Sequence, residues 1–240
     1  MINSIAKAIQ EILYPRYCLL CREKISSDDF DPVCAGCMET IPLNSPPFCQ
    51  KCGRKISGSY TTRSVCKDCF RNDFYFDRGW ACCSYQGALK ELIHYFKYKN
   101  RLSLERQLSE FMVNFIKGYR LPVNYCDYII PVPLSKNRLR EREFNQAQIL
   151  ARNVARYCGL NLLDNNLCRR RDTVSQAKLN KDARWQNMLD AFALKVPEMI
   201  KGKIILLVDD VLTTGATASE SAKALKKSGA SAVFVLTLAN

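Results

Sequence analysis

Two hundred and forty residues with 48% hydrophobic and 25% charged side chains leave room for one ordinary domain plus a small one, or one larger α/β domain with an appendage, and argue against a disordered chain. The longest aliphatic run, Ile204 to Val208, is far short of the about 20 residues that cross a bilayer. Net charge is +13, and residues 90–186 alone hold 19 Lys/Arg against 9 Asp/Glu. Positive charge concentrated in mid-chain suits a surface that meets phosphates or nucleic acid, with general solubility as the plainer alternative.

In chain order, residues 1–17 read as a short amphipathic helix ending near Pro15. Lys7 and Glu11 interrupt its apolar pattern, so it lacks the core of a secretion signal, and the expectation is a soluble, cytoplasmic protein.

Residues 18–72 are rich in Cys, Gly, Pro and Ser and too poor in aliphatics to build a core alone. Eight of the 13 Cys fall into four C-x-x-C pairs: Cys18/Cys21, Cys34/Cys37, Cys49/Cys52 and Cys66/Cys69. Intervals of 12, 11 and 13 residues separate them. Two thiolates on one tight knuckle can both reach a tetrahedral Zn²⁺, so four knuckles make two structural zinc sites. Disulfides would need a secreted chain, and iron–sulfur ligation is the remaining alternative. Sequential pairing of the knuckles is preferred over a cross-brace. The other Cys, at 82, 83, 126, 158 and 168, lie among apolar residues and read as core or half-buried thiols.

Residues 73–240 form the larger unit. The spacing of Leu89, Leu92, Ile93 and Phe96, then of Leu104, Leu108, Phe111 and Phe115, predicts helix within 86–118. His94, the only histidine, reads as packed or solvent-facing, while Lys97, Tyr98 and Lys99 suit a substrate hood or a base-and-phosphate grip. A buried strand runs from Tyr125 to the prolines at 131 and 133, and a helix from about Asn145 to Cys158 ends at Gly159. A strand over 161–168 is followed by a basic loop with a helical end over 169–190. Strand 203–209, helix 216–228 and strand 231–238 close the chain. Strand–helix alternation with near-continuous aliphatic strands predicts an α/β fold: a parallel sheet with helices on both faces.

Ile204-Ile-Leu-Leu-Val-Asp-Asp-Val-Leu-Thr-Thr-Gly-Ala-Thr217 is the segment richest in chemistry. A buried strand delivers Asp209 and Asp210 to its C-terminal tip, where open α/β sheets bind ligands. Thr213, Thr214, Gly215, Ala216 and Thr217 can offer N–H groups and hydroxyls to a phosphate at a helix N-terminus. The carboxylates can accept bonds from a diol or hold Mg²⁺ through water. Together they make a cradle for a ribose 5-phosphate.

This string resembles the ribose-phosphate signature of the type I phosphoribosyltransferases. IIPVPLSKNRLREREFNQAQILA (129–151), the Thr173/Gln176/Leu179/Arg184/Asn187 series and LKELIHYFKYKNR (89–101) resemble the ComF family. That family includes the GntX proteins, is linked to natural competence and DNA uptake, and carries an N-terminal zinc ribbon. The resemblance implies a type I phosphoribosyltransferase-like domain that binds phosphoribosyl pyrophosphate with Mg²⁺. Asp209 and Asp210 would take the ribose hydroxyls, 213–217 the 5′-phosphate, and Leu134, Ser135 and Lys136 the pyrophosphate. Arg138, Arg142 and Arg184 are candidates to neutralise the pyrophosphate or reach an acceptor, with solvated surface charge as the alternative. Glu143 departs from the family, which usually has Gly before Phe-Asn-Gln; a side chain there narrows the entrance or reshapes the turn.

Two functions compete. One is an enzyme that transfers phosphoribose to a nitrogenous acceptor. The other is a single-stranded-DNA-binding adaptor of the uptake machinery, using the ribbons and Arg169, Arg170, Arg171, Lys97 and Lys99. A third reading makes the ribbons a docking module for a competence helicase or inner-membrane DNA channel, which would place the protein at the periphery of that membrane.

Overall fold

The computed structural model describes residues 16–25, 31–56, 64–170 and 181–240. The N-terminal helix expected over 1–17 lies almost wholly outside the described residues, as do Arg171 and Thr173, Gln176 and Leu179.

Five parallel strands form the central sheet in the order β1-β7-β6-β2-β3: β1 (Arg78–Cys83), β2 (Tyr128–Pro131), β3 (Asn161–Leu162), β6 (Ile204–Val211) and β7 (Ala232–Ala239). Its middle strands are aliphatic nearly throughout because both faces are covered. Alternate residues feed two different cores. Leu206, Val208, Leu236 and Leu238 join one cluster, and Ile205, Leu207, Val233 and Val235 join the other. The first is closed by α3 (Gly87–Tyr98), α4 (Glu105–Gly118) and α6 (Gln146–Cys158). The second is closed by α7 (Lys181–Met188), which contributes Met188, by α8 (Ala216–Lys227) and by a small antiparallel pair, β4 (Leu167–Arg169) and β5 (Phe192–Leu194).

The strand expected over 161–168 is in fact two. Asp164-Asn-Asn166 breaks it, and the Asn166 side chain both donates to Val196 O and accepts from Val196 N, turning β4 away into the antiparallel pair. β1 is absent from the expected elements: Gly79 and the small residues after Trp80 conceal a strand whose five residues from Gly79 to Cys83 are all buried. Asn100, at φ 49°, separates the two helices within 86–118.

The cysteine module is two ribbons of one build. An isolated bridge, Tyr17↔Lys24 in the first and Phe48↔Lys55 in the second, holds a knuckle. A short helix then carries the other pair: α1 (Ala35–Glu39) after Cys34, and α2 (Lys67–Arg71) after Cys66. The first ribbon docks on α3 and α4, with Arg22 donating to the Tyr95 hydroxyl and Gln107 Nε2 to Val33 O. The second docks on β1, where Gly79 N–H donates to Lys51 O at 2.6 Å. Gly53 there has φ +72°, and a Cβ would lie 2.6 Å from Gly79 O and Trp80 Cα. Only glycine permits both the backbone turn and the approach.

Among the described residues, no helix is long and apolar enough to cross a membrane.

Candidate functional site

The four Sγ atoms of Cys18, Cys21, Cys34 and Cys37 lie within 4.8 Å of one another, as do those of Cys49, Cys52, Cys66 and Cys69. The knuckles therefore pair sequentially. Four thiolates about 2.3 Å from one Zn²⁺ stand roughly 3.8 Å apart on a tetrahedron. Cys21 and Cys34 are 3.7 Å apart, and Cys52 and Cys66 3.8 Å. The N–H groups of Cys34 and Cys66 point at the Cys18 and Cys49 sulfurs at 3.4 and 3.3 Å, which supports thiolate charge. These are two Cys₄ zinc-binding sites. Cys82, Cys83 and Cys126 are buried elsewhere, and burial pushes the Cys83 and Cys126 thiols up to about 12, so they stay protonated packing groups.

The second centre of interest is a cavity of about 510 Å³ at the C-terminal end of the sheet. β6 brings Asp209 and Asp210 to its wall. Their side chains fall on opposite faces because a strand alternates. Asp210, 8% exposed, is carried toward α3, whose Lys97 Nζ meets its Oδ1 at 2.8 Å. Asp209 Oδ1 accepts the Asp210 N–H at 2.8 Å. The chain then turns through Leu212–Thr214 to Gly215, at φ +81°, which precedes the first residue of α8. A Cβ on Gly215 would stand 2.4 Å from the Phe74 ring.

The opposite wall comes from the end of β2 and from α5 (Lys136–Arg142). The three residues expected to form one loop separate here. Leu134 lines the cavity. The buried Ser135 Oγ caps α5 by accepting from Arg138 N, and Lys136 is exposed. Arg138 and Arg142 both line the cavity. Arg142 is 7% exposed; it donates to Gln146 Oε1 and the Tyr98 hydroxyl, and its Nε has no partner among the described residues. Glu143 ends α5 at φ 64°, the left-handed region that favours glycine. Its carboxylate accepts from Asn100 Nδ2, so the side chain ties the turn to the end of α3.

Arg169 also lines the cavity, its guanidinium 5.7 Å from the centre of the Phe192 ring. Arg170 and Lys99 are exposed, and the side chain of Arg184 lies outside the described residues. Lys90, His94 and Lys97 share one face of α3 and line the same cavity, with the His94 and Tyr98 rings 5.0 Å apart. Sequence reasoning missed Lys90 and Tyr85 as lining residues. The i, i+4, i+7 spacing of 90, 94 and 97 was the available signal.

Burial and the Asp210 carboxylate push the Asp209 carboxyl up to about 7, against the pull of Lys97 and Arg142. An acid whose folded value is raised contributes stability below its unfolded value of about 4, and loses it as pH rises through 7. Asp209→Asn should therefore be more stable than the parent chain at pH 8, by about 1–3 kcal/mol. The gain should vanish by about pH 4. Urea unfolding across that range reads it, and a pH-independent difference would contradict the assignment.

A double zinc ribbon domain model matches residues 9–70 and a phosphoribosyl transferase domain model matches residues 144–240. Competence protein F of Haemophilus influenzae is 30% identical over 225 residues, 92% of this chain and 96% of that protein. The chain belongs to the ComF family. Other members resemble it over the same extent. DNA utilization protein YhgH of Escherichia coli K12 is 29% identical over 93% of this chain and 96% of its own. Competence protein ComFC of Bacillus subtilis is 28% identical over 90% of each chain. This ComF-family chain thus joins two zinc ribbons to a phosphoribosyltransferase-like parallel sheet.

Proposed function

We propose that the chain binds phosphoribosyl pyrophosphate with Mg²⁺ in this cavity and transfers phosphoribose to a nitrogenous acceptor, in the service of natural competence. The observation that carries the reading is the placement of Asp209 and Asp210 at the tip of β6, beside the Gly215 turn into α8 and facing Lys97, Arg138 and Arg142. The names of the relatives, two of them competence proteins and one a DNA utilization protein, support the biological role.

Each group has a task under this reading. The carboxylates accept hydrogen bonds from the ribose hydroxyls. The 213–217 turn offers N–H groups to the 5′-phosphate at the start of a 12-residue helix. Mg²⁺, when bound, neutralises part of the pyrophosphate charge. As the bond from C1 to pyrophosphate breaks, its electron pair leaves with the pyrophosphate, and Arg138 and Arg142 stabilise that charge. The acceptor nitrogen supplies the electron pair of the new bond to C1 and releases its proton to solvent.

A non-catalytic single-stranded-DNA adaptor is the second reading, favoured by the exposed cations Arg170, next in sequence to the cavity residue Arg169, and Lys99, two residues beyond the cavity residue Lys97. Calorimetry with four titrants separates the two. Phosphoribosyl pyrophosphate with Mg²⁺ should bind at least about tenfold more tightly than ribose 5-phosphate or pyrophosphate, because it fills both ends of one site. Equal affinities would reduce the cavity to an anion trap. Binding of a single strand and none of the sugar phosphates would replace the enzyme reading with the adaptor.

A further inference from the structure

The second ribbon touches the phosphate loop itself. Arg54, two residues beyond the ligand Cys52, donates through Nη2 to Thr213 O at 3.3 Å and pairs through Nη1 with Asp68 at 2.8 Å. Asp68 lies between the ligands Cys66 and Cys69 on α2. Both ends of this ion pair are thus anchored by thiolates of one zinc site. A second contact comes from the segment that leaves the ribbon. Phe74 is buried, stacks on Phe76 at 4.9 Å, and lies where a Cβ on Gly215 would fall. Next to it, Tyr75 N–H donates to Ser219 Oγ in the first turn of α8. The first ribbon hydrogen-bonds to Tyr95 on α3 and to Arg106 and Gln107 on α4 instead.

We propose that the second zinc ribbon is a working part of the phosphate-binding site, with Arg54 and Phe74 as positioning residues for the 212–217 loop. The inference rests on the proposed phosphate role of that loop for its functional meaning, but the physical coupling stands by itself. A loop that must present several N–H groups to one phosphate gains from being held before the ligand arrives. Gly215 leaves its own backbone unrestrained, so the restraint has to come from neighbours. Arg54 fixes the Thr213 carbonyl within the turn, and the Phe74 ring closes the space beside Gly215. The zinc fixes Arg54 in turn, because the ion orders both Cys52 and the helix that carries Asp68. Metal occupancy of one ribbon and order in the ligand loop are then linked quantities.

Hydrogen exchange of the zinc-loaded full chain without ligand, resolved over residues 212–217, tests this. Arg54→Ala should speed exchange in that loop about fivefold, the equivalent of one lost hydrogen bond, with zinc content and exchange in the other sheet segments unchanged. Arg54→Lys should recover part of the protection, since an ammonium keeps the charge but lacks the planar fork whose two Nη atoms reach Thr213 O and Asp68 separately. Lys55→Ala, which removes the same charge from an exposed neighbour, should do nothing to the loop. Cys52→Ser should loosen the loop and Cys21→Ser should not. Unchanged loop exchange in Arg54→Ala, or equal loosening by the two Cys variants, would overturn the proposal. Phosphoribosyl pyrophosphate titration of the same samples keeps the two readings apart. If the parent chain fails to bind it while the exchange pattern holds, the ligand assignment falls and the coupling remains.

Discussion

Cys52→Ser is expected to reduce the zinc bound per chain from two ions to one and to unfold the second ribbon while the first keeps its metal. Four thiolates hold each ion, and a structural zinc site of this kind supplies on the order of 10 kcal/mol to the folding of its module. Residues 48–72 cannot replace that with apolar burial, since among the described residues the ribbon brings Cys49 and Cys52 into the buried core, with Phe48, Ile56, Val65, Cys66 and Cys69 partly covered. The first ribbon rests on separate anchors, with Cys18, Ile25 and Val33 in the other cluster. Metal analysis after dialysis, with far-ultraviolet and tryptophan signals on the same sample, reads the outcome. The Trp80 backbone lies at the Gly53 contact, so the indole signal should report release of the ribbon from β1. Retention of two ions, or loss of both, would contradict independent sites.

The parts of the molecule carried by local sequence were legible in advance. The β6–α8 unit announces itself because a strand covered on both faces must be aliphatic throughout, and because two adjacent acids before a Thr-Thr-Gly-Ala-Thr turn leave few other roles. The zinc knuckles are equally local: spacing alone brings each pair of thiolates to one ion. What escaped depends on contacts between distant segments. Lys97 and Asp210 are 113 residues apart and Arg54 and Thr213 are 159 apart, so only the strand order brings them together. β1 was hidden for a related reason, since a strand in which Gly79, Ala81, Cys82 and Cys83 surround one Trp carries little propensity and is held by its pairing with β7. The single strand expected over 161–168 failed because three consecutive polar residues redirected the chain.

Glu143 shows a departure from the family made physical. The usual glycine position has a left-handed backbone here, and the chain adopts it with a glutamate whose carboxylate is tied to Asn100. The side chain is held at Asn100, just past the end of α3, and Glu143 is not among the residues that line the cavity.

Asp209→Asn with Asp210→Asn is expected to weaken phosphoribosyl pyrophosphate binding by at least about a hundredfold, since two hydrogen bonds to charged acceptors are each worth about 1.5–3 kcal/mol. The fold should survive, because neither side chain belongs to the two hydrophobic clusters and the exchange removes the charge that burial opposes at position 209. Lys97 loses its ionic partner in the double variant, which adds to the loss at the ligand site without touching the sheet. Calorimetric titration of phosphoribosyl pyrophosphate with Mg²⁺ into the zinc-loaded chain, beside this variant, is the most direct test of the central claim. Saturable binding by the parent chain that disappears in the variant is the predicted result. No binding by a folded, metal-loaded parent, or equal binding by both proteins, would contradict the assignment of Asp209, Asp210 and the 213–217 turn as the ribose-phosphate site.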